Sequence, residues 1–321
     1  MTHPQSIGIL EKKFGNRLQY QVALKNFATA RVGGAAAWFV TVRNANELAD
    51  VVQICWDNQT KYFLLGSGSN VLFSDEGFDG LVILNHAKKI EMKISGEHPA
   101  LWVESGASLG LVARKAALAG LSGLEWAATV PGTIGGAIFG NAGAHGSDMH
   151  SNLLLAEILQ HGKGKSIWKN EDFHFSYRSS IFKRQEESGI VLSATLNCSY
   201  DDPQKIKERM NAFSEYRRRT QPPGASMGSM FKNPPGDYAG RLIEAAGLKG
   251  YTIGGVKVSE VHANFFINSD QATANDIYNL VLHVQKTVKK EFNVELELEV
   301  EMIGFNPTAN NNKANHGKAS I

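Results

Sequence analysis

The chain has 321 residues, 43% of them apolar and 20% charged, with 33 Lys plus Arg against 31 Asp plus Glu and a formal net charge of +2. This length exceeds one ordinary hydrophobic core, so two or three domains are expected, and the near-neutral balance gives no sign of a nucleic-acid partner. Cys55 and Cys198 form neither a disulfide framework nor a metal motif and read as buried thiols.

Met1 to Asn16 carries Pro4, Glu11 and two lysines where a signal peptide would need an apolar core, so a cytoplasmic protein is expected. Residues 20–85 alternate strand-like runs (36–42, 62–65, 81–84) with one helix over 47–57, whose Leu48, Val51, Val52 and Cys55 fall at i, i+3, i+4 and i+7. Residues 86–200 offer strands near 101–104, 153–159 and 190–196 and an alanine-rich helix over 109–119. A polar helix over 203–219 ends at Gln221-Pro222-Pro223-Gly224. A second helix follows, with Ile277, Leu280, Val281, Val284 and Val288 on one stripe and Thr273 to Asp276 as a capping box. Val294 to Met302 alternates perfectly, which predicts a strand with its four glutamates on one face. The pattern is α+β. It divides into units 20–85, 86–200 and 201–304, with a tail, 305–321, expected to lack fixed structure.

Residues 131–146 hold six glycines in sixteen positions with no acid, Lys or Arg. Glycine inside a helix or strand costs about 0.5–1 kcal/mol relative to alanine, so the stretch predicts a place where bare backbone must approach something flat or phosphorylated. Residues 126–146 are uncharged, but Pro131 and the glycines argue against a membrane span. A second glycine-rich loop, Gly66-Ser67-Gly68-Ser69-Asn70, follows the strand at 62–65 and offers amides of the kind that cradle phosphate. Together the two loops suggest one large cofactor.

Three other pattern matches fail on context. Gly66-Ser67-Gly68 lacks the third glycine of a dinucleotide fingerprint, Leu159 stands where Gly162-Lys163-Gly164-Lys165-Ser166 would need the first glycine of a P-loop, and Gly224-Ala225-Ser226-Met227-Gly228 has no strand before it. The second of these reads as a hairpin turn. His145 and His262 have no second ligand at useful spacing and read as hydrogen-bonding core residues.

Taken in order, Ala30-Arg31-Val32-Gly33-Gly34, Gly66 to Leu72, Gly120 to Glu125 leading into 131–146, Tyr177-Arg178-Ser179-Ser180, Arg217 with Gln221-Pro222, Gly228-Ser229-Met230-Phe231-Lys232-Asn233-Pro234, Val258 to Phe265 and Leu296 to Val300 resemble the UDP-N-acetylenolpyruvoylglucosamine reductase family over about residues 22–304. The short stretch between Arg178 and Arg217 resembles the branch without an extra tyrosine-bearing loop. Lys257, where glutamine is usual, and Phe27-Ala28 depart from the family pattern.

The resemblance implies a two-subdomain FAD-binding unit of the vanillyl-alcohol-oxidase-like (PCMH) type followed by an α+β substrate domain. It implies non-covalent FAD, NADPH as co-substrate, and reduction of UDP-N-acetylglucosamine enolpyruvate to UDP-N-acetylmuramate for peptidoglycan synthesis. No membrane, nucleic-acid or obligate protein partner is implied. In that reaction hydride adds to the vinyl CH₂ carbon and negative charge develops toward the carboxylate, so a cation or hydrogen-bond donor must face it. Arg178 matches the family residue for that task, Ser229 the proton donor to the adjacent carbon, and Glu299 the third catalytic residue, which must be protonated to hydrogen-bond beside an anion. FAD contacts are carried over to Gly66, Ser67, Gly68, Ser69 and Asn70 at the pyrophosphate and to Pro131, Gly132, Thr133, Gly135, Gly136, Asn141, Ala142 and Gly143 along the flavin. Tyr177, Arg217, Lys232 and Asn233 are carried over to the substrate. An FAD oxidase of the same superfamily and a flavin-binding protein without turnover remain the alternatives.

Overall fold

The computed structural model describes residues 5–93, 97–269 and 271–305. In the first part of the chain, strands 18–23, 35–42, 78–85 and 62–65 lie side by side in that order, the first pair antiparallel and the others parallel. One face is covered by α1 (Gln5–Phe14) and α2 (Ala45–Asp57), which bury Ile7, Leu10, Leu48, Val51 and Val52 against it. The packed unit therefore begins before residue 20. Helix α2 starts where the Asn44 side chain accepts the Glu47 N–H, a cap worth about 1 kcal/mol.

The second sheet is antiparallel throughout, in the order 164–169, 153–160, 190–197, 100–104, 90–93. Its 153–169 hairpin turns at the Gly162-Lys163-Gly164 segment, with Gly162 and Gly164 both at φ +72°. Helices α3 (Leu109–Leu118) and α4 (Ile134–Gly140) join its core. The stretch 131–146, expected as a loop, thus contains a helix. Helix α5 (Pro203–Thr220) also packs here, through Met210, Phe213 and the Arg209–Glu125 ion pair at 2.7 Å. The change of unit placed at residue 200 therefore precedes a helix that still belongs to the second core.

The third core holds α6 (Ala239–Ala245), α7 (Ala274–Phe292) and a small sheet of strands 252–253, 256–258 and 266–268. Helix α7 has the expected Thr273–Asp276 capping box and buries Ile277, Leu280, Val281, Val284 and Val288, each worth about 1.5–3 kcal/mol. Leu72, Ala30 and Val32 from the first part of the chain enter this core.

The alternating run 294–302 is not a continuous strand. Only Glu301–Ile303 pairs, in parallel with Val71–Phe73, while Leu298 makes a single bridge to Phe231. Its side chains do alternate inward, but the segment is stitched to two different neighbours, so no one ladder runs along it. Phe305, the first residue of the expected tail, stacks on Tyr278, 5.1 Å between ring centres, and so packs on the third core; residues 306–321 lie outside the described residues. Among the described residues no helix is long and apolar enough to cross a membrane. Cys55 and Cys198 are buried free thiols, both pushed up to about 12 by burial.

Candidate functional site

A cavity of about 530 Å³ opens where the first sheet, α4 and the third core meet. All five residues of Gly66–Asn70 line it, as do Pro131, Gly132, Thr133, Gly135, Gly136, Ala142 and Gly143. A neighbouring recess of about 500 Å³ shares Ser69, Pro131, Arg217, Gln221 and Phe265 with it, so the space extends past α5.

The glycines of this wall serve two purposes. A Cβ at Gly68, where φ is +64°, would stand 1.9 Å from the Phe27 carbonyl oxygen, and one at Gly66 would stand 2.6 Å from Thr133 Oγ1; these positions let the loops pack on each other. A Cβ at Gly140 would meet nothing within 4 Å and one at Gly136 only Thr133 Oγ1 at 3.4 Å, yet both residues line the cavity. There the missing side chains leave bare backbone facing open space, as a flat ligand requires.

Asn141 is the exception among the expected cofactor residues. It caps α4 in a left-handed conformation (φ +43°), donates to Asp148 Oδ2 and the Ser176 carbonyl, and accepts from the His150 N–H. It does not line the cavity, because its side chain is spent on holding the 141–150 and 176 segments together.

The rest of the lining carries charge. Arg178 is the third residue of a tight turn closed by two 3.1 Å hydrogen bonds exchanged between Ser176 and Ser179, and its φ is +54°. That conformation costs a residue with a Cβ about 1–2 kcal/mol. Buried Ser180, donating to the Phe139 carbonyl at 2.7 Å, anchors the turn to α4. The guanidinium then enters the cavity, with Nε 3.1 Å from Glu299 Oε1. The two groups approach without a hydrogen bond, so the buried Nε–H is left for a further acceptor.

Ser229 lines the cavity on a segment pinned by Asn264, which donates to the Phe231 carbonyl at 2.8 Å and accepts the Phe231 N–H at 2.9 Å. Glu299 completes the set. Burial pushes its carboxyl above the ordinary value, although Arg178, Lys183 and Lys232 each pull it down. Its main-chain N–H donates to the Met230 carbonyl at 2.9 Å, tying it to the Ser229 segment.

Of the four residues carried over to the substrate, only Arg217 faces this space. Burial lowers its guanidinium from the ordinary value, and no carboxylate among the described residues offsets that cost. Tyr177 is 56% exposed, beneath the Arg178 guanidinium and outside the cavity lining. Lys232 pairs with Glu297, and Asn233 accepts the Ala239 N–H at 3.1 Å at the start of α6. Local partners occupy all three.

Three further residues contribute: Lys183 went unseen in the sequence, Gln221 was noted only as part of a motif, and His145 was read as a hydrogen-bonding core residue. Lys183 lines the cavity and bonds the Glu299 carbonyl, Gln221 lines it from the end of α5, and His145, left-handed at φ +55°, stacks on Phe213 with ring centres 4.2 Å apart. Burial lowers the His145 imidazole, with Arg217 adding to the effect. A short glycine-rich approach to His145 was visible, but its aromatic partner lies on a helix about seventy residues onward. Glu301 is half-exposed and ion-paired to Lys183, so it is not one of the solvated glutamates of a strand face.

Residues 220–303 match the model of the UDP-N-acetylenolpyruvoylglucosamine reductase C-terminal domain, and residues 36–168 match the FAD binding domain. A UDP-N-acetylenolpyruvoylglucosamine reductase from Chloroflexus aggregans is 40% identical over 276 residues, covering 85% of this chain and 93% of that one. The chain belongs to this family. One from Protochlamydia amoebophila is 41% identical over 298 residues, covering 91% and 96%. The crystal structure of the Thermus caldophilus reductase superposes with a TM-score of 0.76 at 36% identity, over 89% of this chain and 99% of that one. The protein is accordingly an FAD-containing oxidoreductase of α+β fold. The cavity fits such a cofactor, with bare backbone at Gly136 and Gly140 on one wall and an unsatisfied buried donor on Arg178 on the other.

Proposed function

We propose that the chain reduces UDP-N-acetylglucosamine enolpyruvate to UDP-N-acetylmuramate with NADPH, supplying peptidoglycan precursors in the cytoplasm and so supporting cell division. The observation that carries this reading is the convergence of Arg178, Ser229 and Glu299, from segments far apart in the chain, on one cavity that both glycine-rich loops also line. Bound FAD would supply the hydride chemistry, with NADPH as the reductant and the vinyl carbon as the acceptor. Gly66–Asn70 would hold its pyrophosphate, and Pro131, Gly132, Thr133, Gly135, Gly136, Ala142 and Gly143 its flavin end.

Arg178 faces the substrate carboxylate, where its fork of donors meets the charge that grows as hydride arrives. Ser229 delivers a proton to the carbon next to that carboxylate. A hydroxyl is a weak acid, so this works only toward a strongly basic enolate. Glu299 acts protonated, donating a hydrogen bond to the carboxylate from the other side; its burial supports that role. Arg217 takes the UDP-sugar; the first two cores, reaching from α1 through α5, bind the flavin, and the third core binds the substrate.

Anaerobic stopped-flow spectroscopy tests the reading. NADPH should bleach the bound flavin, and the enolpyruvyl substrate should restore its colour with formation of the lactyl ether. Recolouring by oxygen alone, with the substrate inert, would point to an oxidase and sink the proposal. Acid precipitation should release the chromophore into solution if the flavin is non-covalent.

A further inference from the structure

Glu299 is gripped through its main chain from three sides. Beyond the bond to Met230, its carbonyl accepts from Asn70 Nδ2 at 3.0 Å and from Lys183 Nζ at 3.1 Å. The Lys183 side chain is only 13% exposed, it lines the same cavity, and its ammonium also meets Glu301 Oε1 at 3.0 Å. An ammonium held this far from water is tolerated only where oxygen acceptors replace its hydration. Both acceptors here lie on the 299–301 segment, two residues apart.

We propose that Lys183 is a positioning residue for the reduction, clamping the Glu299 carbonyl and the Glu301 carboxylate so that the Glu299 carboxyl group stays beside Arg178 in the cavity. The clamp joins the segment that carries Arg178 to the segment that carries Glu299, which no secondary structure connects directly. The inference rests on the role given to Glu299 above.

Charge sharpens the consequence. The cations acting on Glu299 are Arg178 from its turn, Lys183 five residues on and Lys232 from the Ser229 segment; the anion Glu301, two residues along the chain from Glu299, is paired to Lys183. Replacing Lys183 by methionine removes one cation and leaves Glu301 without its counter-ion. Both changes favour protonated Glu299, so the form proposed to work persists to higher pH.

The experiment follows substrate-driven flavin reoxidation against pH in Lys183→Met, Lys183→Arg and Glu301→Gln. Lys183→Met should lower the maximal rate about tenfold and move the basic limb upward by about half to one pH unit. Lys183→Arg, which keeps the charge, should return the limb to its wild-type place. Glu301→Gln removes only the anion, so it should move the limb to lower pH; it also serves if Lys183→Met fails to load FAD. A readout independent of turnover is the pH dependence of the melting temperature, compared between Lys183→Met and the double variant Lys183→Met/Glu299→Gln; their difference reports the Glu299 titration and should shift with the kinetic limb. An unmoved limb in Lys183→Met, an arginine variant as impaired as the methionine one, or an upward shift in Glu301→Gln overturns the proposal. Reoxidation untouched by Glu299→Gln would bring down the role of Glu299 itself and the clamp with it, whereas a large loss there beside an unmoved Lys183→Met limb removes the clamp alone.

Discussion

The two walls of the cavity are built on opposite principles. The wall formed by 66–70 and 131–143 presents main chain and almost no charge, whereas the wall formed by 178–183, 217–229 and 299–301 presents two arginines, a lysine and two carboxylates. The first sets shape, and its loops hold each other through contacts too close for any side chain. The second sets charge, and its members are held by bonds to one another across the chain. Damage to the two walls should therefore look different: loss of fold or cofactor on one side, loss of chemistry with the cofactor still in place on the other.

The largest expected effect comes from the charged wall. Ser229→Ala should leave flavin reduction by NADPH at its wild-type rate while slowing substrate-driven reoxidation by about 10²–10⁴-fold, the range for a positioned proton-transfer group. Ser229→Cys should recover part of the rate. Equal slowing of both half-reactions would mean that Ser229 only shapes the pocket, and the contrast between the walls would collapse.

On the glycine wall, Gly68→Ala must move backbone, since φ is +64° and the new methyl would overlap the Phe27 carbonyl. It should cost at least about 1–3 kcal/mol of stability and most of the FAD binding. Gly140→Ala meets no protein atom within 4 Å, so it should keep the wild-type melting temperature while weakening FAD binding. Thermal melts paired with FAD titrations separate the two. Equal melting temperatures in both variants would refute the division between packing glycines and ligand-facing glycines.

Glu299 gives the comparison a pH axis. Burial raises its folded value above the ordinary 4.5, so the native state holds this proton more tightly than the unfolded chain. The associated stability is fully present below pH 4.5 and is lost as pH rises through the folded value. Glu299→Gln should flatten that decline in melts run upward from pH 4.5. A wild-type curve that instead rises across this window would mean an ionised Glu299, contrary to the role proposed for it.

The smallest effect belongs to Asn233. As an exposed acceptor at the start of α6, its change to alanine should cost about 1 kcal/mol of stability and leave KM for the UDP-sugar nearly unaltered. A tenfold rise in KM with unchanged stability would restore it to the substrate wall.

Residues were legible in the sequence to the extent that their role was local. The helices expected over 47–57 and 109–119 and along the Ile277–Val288 stripe followed from apolar spacing, alanine content and one capping box, because a helix buries one face and satisfies its own backbone within a few turns. Glycine loops were legible for a related reason: a glycine surplus marks a backbone that side chains would obstruct, whether the obstruction is protein or ligand. It does not tell the two apart, and Gly68 and Gly140 looked alike until their surroundings were known. The run 294–302 misled because alternation records which side chains point inward and is silent about which partner each stretch finds.

By itself, then, the sequence determined the α+β pattern, the two bare-backbone loops and the motif order that identifies the family. Only the tertiary structure decided which polar residues face the cavity. Asn141, Lys232 and Asn233 carry chemistry suited to a ligand but spend it on a neighbouring segment or a helix end, while Lys183, unremarked in the chain, and His145, read there as a core residue, are drawn to the site by partners 116 and 68 residues away. A polar side chain goes to whichever partner satisfies it at least cost, and that competition is settled only when distant segments meet.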